Sequence, residues 1–117
     1  EYAPRTLLTG VASFNYAPYS QVFPQCAAIV HHGGIGTTAQ SLRAGRPVLV
    51  TPMSHDQFDN AARVKRLGAG LRLRHASVTP ERLVERLRRL LDEPSFEQRA
   101  RELAPLVGQD DGAVIAA

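Results

Sequence analysis

Ile29 to Asn60, IVHHGGIGTTAQSLRAGRPVLVTPMSHDQFDN, joins two apolar runs through a glycine turn and a helical pattern, and then ends in a polar cluster. Ala27 to Val30 reads as a strand buried on both faces, broken at His31, His32, Gly33 and Gly34. Gly33, Gly34 and Gly36 are able to take positive φ and to let another molecule approach the backbone closely. A helical pattern restarts over Thr37 to Arg43 and stops at Gly45, a residue suited to left-handed φ, and Pro47, which cannot continue a helix. Val48 to Thr51 is a second buried strand. Strand, turn, helix and strand make a βαβ unit with parallel strands, a right-handed crossover and the turn at the carboxyl edge. The expected fold class is therefore α/β, a Rossmann-like parallel sheet flanked by helices.

Such a turn has a chemical use. Unpaired N–H groups at a helix start, with the positive end of the dipole, attract an anion, and a diphosphate is the natural guest. Thr37 and Thr38 would add hydroxyl donors, and His32 a hydrogen bond or a positive charge. No Lys follows the glycines, which excludes a Walker-type loop. The plain alternative is a glycine-rich connection that binds nothing.

The 117 residues suit one compact domain, and 44% hydrophobic residues suffice for a core. No apolar run is long enough to span a bilayer, and Glu1 to Arg5 carries no signal pattern, which points to a soluble, cytoplasmic chain. The single Cys26 rules out an internal disulfide and a multi-cysteine metal site, and its apolar neighbours suggest a buried structural thiol. The net charge of +3 raises the question of nucleic acid. The arginines between Arg82 and Arg101 are, however, interleaved with Glu81, Glu85, Asp92, Glu93 and Glu97, a solvated helix face with Glu85 and Arg89 as a favourable pair. No basic stripe carries aromatics for base stacking, so nucleic acid is not an expected partner.

Elsewhere, Thr6 to Thr9 is a candidate strand and Val11 to Tyr16 an extended piece. Ser20 to Gln25 suits one helical turn. Gln57 to Leu67 reads as a helix with Asp56 as N-cap and Gly68 as its end, and Leu71 to Leu73 as a short strand. Thr79 and Pro80 start a helix whose Leu83, Val84, Leu87, Leu90 and Leu91 share a face. Ser95 and Gln98 form a capping-box pattern for a last helix that buries Phe96, Ala100, Leu103 and Ala104 and is disturbed at Pro105. There is no internal repeat or dividing linker, and the end after Gly108 is weakly specified, with Val114 and Ile115 expected to be exposed.

HHGGIGTT, AGRP, PMSHDQFDNAARV and LGAG together resemble the donor-binding half of nucleotide-sugar glycosyltransferases with the two-domain GT-B fold. The likeness runs from about Phe14 to Gly70, more loosely through the two last helices, and is nearest to the bacterial branch acting on lipids, sterols, macrolides and other small hydrophobic acceptors. It implies that residues 1–117 are part of a C-terminal domain, with the N-terminal acceptor domain and the start of the donor domain absent. It also implies an inverting, metal-independent hexosyltransferase using a UDP- or TDP-sugar, with no cofactor. By the same resemblance Tyr16, with Ala17 and Pro18, packs on the base, His32 contacts the diphosphate, and Gly34, Gly36, Thr37 and Thr38 belong to the loop and helix start that receive it. Asp56 and Gln57 hold sugar hydroxyls, for which an acceptor beside an amide is well suited.

Two departures bear on this. Gln40 stands where plant members often have a Glu that binds ribose, and the histidine and aspartate base of the acceptor domain has no counterpart. His32 is thus the one residue expected to act in catalysis, by stabilising the leaving group. The interval between Thr9 and Tyr16 is shorter than the family's loop, as though residues between them were missing.

Rival readings start from the same residues. Gly34, Gly36 and Ala39 also satisfy G-x-G-x-x-A with Asp56 about 20 residues on, the pattern of an NAD-binding module. A metal site of His31, His32, His55 and Asp56 is awkward, since adjacent residues on an extended segment point to opposite faces. His75 sits in an Arg-rich loop and is expected to face solvent. A nucleotide-sugar epimerase and a non-catalytic nucleotide-binding fragment complete the alternatives.

Overall fold

A computed structural model describes residues 9–107 of the chain. Most of the candidate strand Thr6 to Thr9 and the tail with Val114 and Ile115 lie outside the described residues. From Thr9 to Tyr16 the chain is exposed and forms no strand.

Three short strands, β1 (Ile29–His31), β2 (Val48–Val50) and β3 (Gly70–Arg72), form a parallel sheet in the order β1-β2-β3. Five helices accompany them among the described residues: α1 (Tyr19–Val22), α2 (Ile35–Arg43), α3 (Asp56–Leu67), α4 (Pro80–Asp92) and α5 (Pro94–Val107). The βαβ unit is present. The register pairs Ile29 with Val48 and His31 with Val50, so these four side chains share one sheet face, and Val30 with Leu49 share the other.

Alternation divides the core. Val48 and Val50 pack with Ala61 and Val64 of α3, while Leu49, Leu71 and Leu73 pack with Leu90, Leu83 and Leu87 of α4 and with Phe96. A third cluster joins Ala39 and Leu42 of α2 to Ala100, Leu103 and Val107 of α5. Burying each of the larger side chains stabilises the fold by about 1.5–3 kcal/mol. Helices therefore cover both faces of the sheet, as the α/β reading requires.

Several details differ from expectation. β1 is not buried on both faces: Val30 is 47% exposed, because α4 packs on β2 and β3 and does not reach the edge strand. The first long helix begins at Ile35, two residues early, so Gly36 is helical and Gly34 has φ −60°; only Gly33 of the three takes positive φ, at +101°. The N-cap of α3 is His55 rather than Asp56, and Asp56 is the first helical residue. On α4, Val84 and Leu91 are exposed, since the apolar stripe is wider than the surface it covers. Glu85 pairs with Arg86, and Arg89 with Glu93 at 3.3 Å, in place of the expected Glu85 and Arg89 pair. α5 starts at Pro94, where a proline's missing N–H costs nothing, so Ser95 lies inside the first turn and no capping box forms. It continues through Pro105, whose disturbance falls in the final turn. Cys26 is only partly buried, with its Sγ 3.4 Å from the Val22 carbonyl.

Other local signals act as read. Thr79 accepts from the Arg82 N–H at 3.2 Å and Pro80 opens α4, while Gly68, at φ +85°, closes α3. No helix of the described residues is long and apolar enough to cross a membrane.

Candidate functional site: a braced glycine turn between two helix starts

The site is built around Gly33. Its N–H donates to His31 Nδ1 at 2.9 Å, and its carbonyl accepts from Asn60 Nδ2 of α3 at 2.7 Å. A Cβ there would lie 2.9 Å from Val50 Cγ1 and 3.0 Å from the Gln57 carbonyl, so only glycine lets the turn lie against β2 and the start of α3. The starts of α2 and α3 thus meet at one corner beyond the carboxyl ends of β1 and β2. Each helix start carries roughly half a positive charge.

His31 is held as a neutral ring. Alternation turns it to the same face as Ile29, where burial first, and the charge of His32 second, lower its pKa from 6.5 to about 4. With Nδ1 accepting from Gly33, the proton sits on Nε2 and is directed at Ser41 Oγ, 3.3 Å away. The Ser41 hydroxyl in turn donates to the Thr38 carbonyl at 2.9 Å. One imidazole therefore ties β1, the turn and α2 together.

The amides that would receive an anion are those of Ile35, Gly36 and Thr37. They occupy the first helical positions after Gly34, have no intrahelical partner by geometry, and receive no side-chain cap. Internal bonding begins with the Thr38 N–H, which donates to the Gly34 carbonyl. Thr37 is half-buried at this rim, whereas Thr38 is fully buried and its hydroxyl donates to the Gly34 carbonyl at 2.7 Å. Thr38 shapes the helix start and has no hydroxyl donor left for a ligand, contrary to its expected part.

His32 is exposed, with Nδ1 3.3 Å from both the Thr51 carbonyl and Thr51 Oγ1. Facing a carbonyl, Nδ1 acts as the donor, and Nε2 is the ring nitrogen left for a ligand. His75 is exposed as expected, but it also sets its ring edge-on to His32 at 5.6 Å.

At the start of α3, Asp56 is exposed and Gln57 half-buried. Gln57 Oε1 accepts from the N–H groups of Met53 at 2.8 Å and Ser54 at 3.3 Å, leaving its amide NH2 as the part that can face a ligand. The expected dual role of Gln57 is thus reduced to donation. Between them and Ser54 stands His55, the one described non-glycine residue with positive φ, at +47°.

Tyr16 and Gln40 come together. A groove of about 420 Å³ is lined by Phe14, Asn15, Tyr16, Ala17, Tyr19 and Gln40, with Tyr16 80% exposed and Tyr19 stacked on Phe23 at 4.4 Å. Gln40 Oε1 is buried there without a hydrogen-bond partner. Gln40 lies one turn along α2 from Thr37, so groove and amide corner adjoin. No group of three His, Cys, Asp or Glu residues able to hold a metal occurs among the described residues.

Sequence reasoning missed Asn60 and Ser41, and weighed His31 only as a metal ligand. Asn60 had a signal: a polar residue, 3% exposed, on the helix face that carries Ala61 and Val64.

Comparison with known proteins places this architecture. The family described as "Erythromycin biosynthesis protein CIII-like, C-terminal domain" matches residues 4–109. An uncharacterised glycosyltransferase of Mycobacterium tuberculosis is 40% identical over 114 residues, covering 92% of this chain and 27% of its own length. The aklavinone 7-beta-L-rhodosaminyltransferase of Streptomyces galilaeus is 46% identical over 103 residues, 85% of this chain and 23% of that protein. The crystal structure of the glycosyltransferase VinC in complex with dTDP superposes with a TM-score of 0.77 at 35% identity, over 96% of this chain and 31% of that one. The chain thus spans about a quarter of the length of the curated relatives it matches. Continuous sheet, braced turn and matched sequence agree: the chain belongs to the erythromycin biosynthesis protein CIII-like C-terminal domain family, on the α/β architecture of the GT-B glycosyltransferases.

Proposed function

We propose that this chain is the donor-binding part of an inverting, metal-independent glycosyltransferase that moves a hexose from a UDP- or TDP-sugar to a hydroxyl of a small hydrophobic or lipid acceptor. The observation that carries it is the set of unpartnered amides at Ile35, Gly36 and Thr37, facing the corner where α2 and α3 both begin. A diphosphate there meets N–H donors and two helix dipoles. Tyr16 offers a ring for the base, and Gln40, in the same groove, a side-chain amide for the ribose. Asp56 and the Gln57 amide hold the sugar. The dTDP bound to the solved relative supports a pyrimidine nucleoside diphosphate as the leaving group.

As the acceptor oxygen attacks the anomeric carbon, the bond to the diphosphate breaks and charge gathers on the leaving oxygen. The amides and His32 stabilise that charge, and loss of one such donor costs about 3–4 kcal/mol of transition-state stabilisation. The base that takes the acceptor's proton belongs to the acceptor domain, which is the partner this part requires.

Calorimetric titration of UDP and TDP reads the affinity, and NAD serves as the control. Binding of NAD with no binding of either nucleoside diphosphate would refute the proposal. In the full-length enzyme, His32→Ala should slow transfer strongly while leaving the melting temperature unchanged; unaltered turnover with donor bound would remove His32 from the mechanism.

A further inference from the structure

A second cationic recess lies outside the groove and corner described above. Arg72 and Arg74 at the end of β3, and Arg82 and Arg86 on the first turns of α4, line one cavity of about 570 Å³, together with Phe58 of α3 and Ser77. No carboxylate is among its lining residues. The Arg82 guanidinium is fixed by donation to the Ser77 carbonyl at 3.0 Å, and that of Arg86 is paired with Glu85. Arg72 and Arg74 have no carboxylate partner among the described residues.

Like charges gathered in one recess repel unless an anion or solvent lies between them. Arg89, Arg99 and Arg101 each meet a glutamate, as Arg86 does, whereas Arg72 and Arg74 meet none among the described residues. Guanidinium groups match oxyanions in a planar, two-pronged fashion, and several of them around one point suit a phosphate, which has three oxygens and up to two charges, better than a carboxylate. The volume exceeds that of a phosphate alone. Phe58, 39% exposed, supplies an apolar wall for the body that carries it. The recess adjoins the donor corner without merging with it: His75, next to Arg74, donates its N–H to the Pro52 carbonyl at 3.0 Å and lays its ring against His32.

We infer that this arginine-lined recess binds an organic phosphate, held by Arg72 and Arg74 with its body against Phe58, at the same time as the donor site is filled. The phosphate belongs either to a free phosphorylated molecule or to the headgroup of an anionic lipid.

Phenyl phosphate is the probe. It is titrated by amide NMR into the full chain, with and without saturating UDP. The expected result is saturable binding in both conditions, shifts at Phe58 and Ser77, and an affinity at least tenfold weaker in Arg72→Ala/Arg74→Ala, whose UDP affinity and circular dichroism are unchanged. In parallel, the chain is sedimented with phosphatidylcholine vesicles with and without 30% phosphatidylglycerol. Binding to the anionic vesicles that the double variant loses assigns a lipid headgroup, while binding of phenyl phosphate alone assigns a free phosphate. Competition between phenyl phosphate and UDP, equal affinity in the double variant, or shifts confined to residues away from the recess would overturn the inference.

Discussion

His31 should give the fold a pH dependence whose sign follows from its burial. In the unfolded chain its ring takes a proton near pH 6.5, and in the folded chain only near pH 4, because burial and then the charge of His32 disfavour the imidazolium. Above pH 6.5 both states hold a neutral ring and its full contribution to stability is present. As pH falls from 6.5 towards 4, the unfolded chain binds a proton that the folded chain refuses, so stability is lost, and the loss is complete below about pH 4. At about 1.4 kcal/mol per pH unit the interval corresponds to roughly 3 kcal/mol. Protonation also removes the acceptor of the Gly33 N–H, so the turn that presents the α2 amides loosens as the chain weakens. Urea unfolding at pH 4.0 to 7.5, followed by circular dichroism, compares the wild type with His31→Asn. Asparagine keeps an acceptor for Gly33 but does not titrate. The carboxylates respond to pH in both proteins, so the difference between the two curves isolates the ring. At pH 7.5 the variant should be less stable by about 1 kcal/mol for the lost contact to Ser41. By pH 4 that deficit should have reversed, leaving the variant the more stable of the two. Curves that stay parallel across the window would refute the account.

Three further outcomes follow from the geometry. Gly33→Ala forces a side chain into φ +101° and against Val50 and Gln57, so it should lower stability by about 1–3 kcal/mol from the backbone alone and abolish UDP binding, as thermal unfolding with and without UDP would read. Gln57→Leu removes the acceptor of the Met53 and Ser54 N–H groups and should cost about 1 kcal/mol in urea unfolding, whereas Gln57→Glu keeps the acceptor and the stability; equal losses in both would mean the oxygen is not the brace. Thr79→Ala should cost about 1 kcal/mol through the lost cap of α4, again by urea unfolding, with no effect on nucleotide binding.

What could be read from the sequence was what neighbouring residues decide among themselves. A break from apolar residues into glycines ends β1, Gly45 and Gly68 end α2 and α3, and Thr79 followed by Pro80 begins α4, because each depends on φ preference or on a cap within one helical turn. Apolar runs bounded by such signals were enough for parallel strands, and the motifs along them were enough for the family. Tertiary structure decided which groups remain free. Thr37 and Thr38 look alike in the sequence, yet the Thr38 hydroxyl is spent on the Gly34 carbonyl and buried under neighbouring elements. His31 and His32 look alike too, but strand alternation sends the first inwards to hold Gly33 and leaves the second at the rim beside Thr51. Asn60 meets Gly33 across 27 residues, and Val30, Val84 and Leu91 remain exposed because no described element reaches them. Periodicity states which face of an element a residue is on; only the packing of other elements states what covers that face, and a hydrogen-bonding group is available to a ligand only where that packing has left it unused.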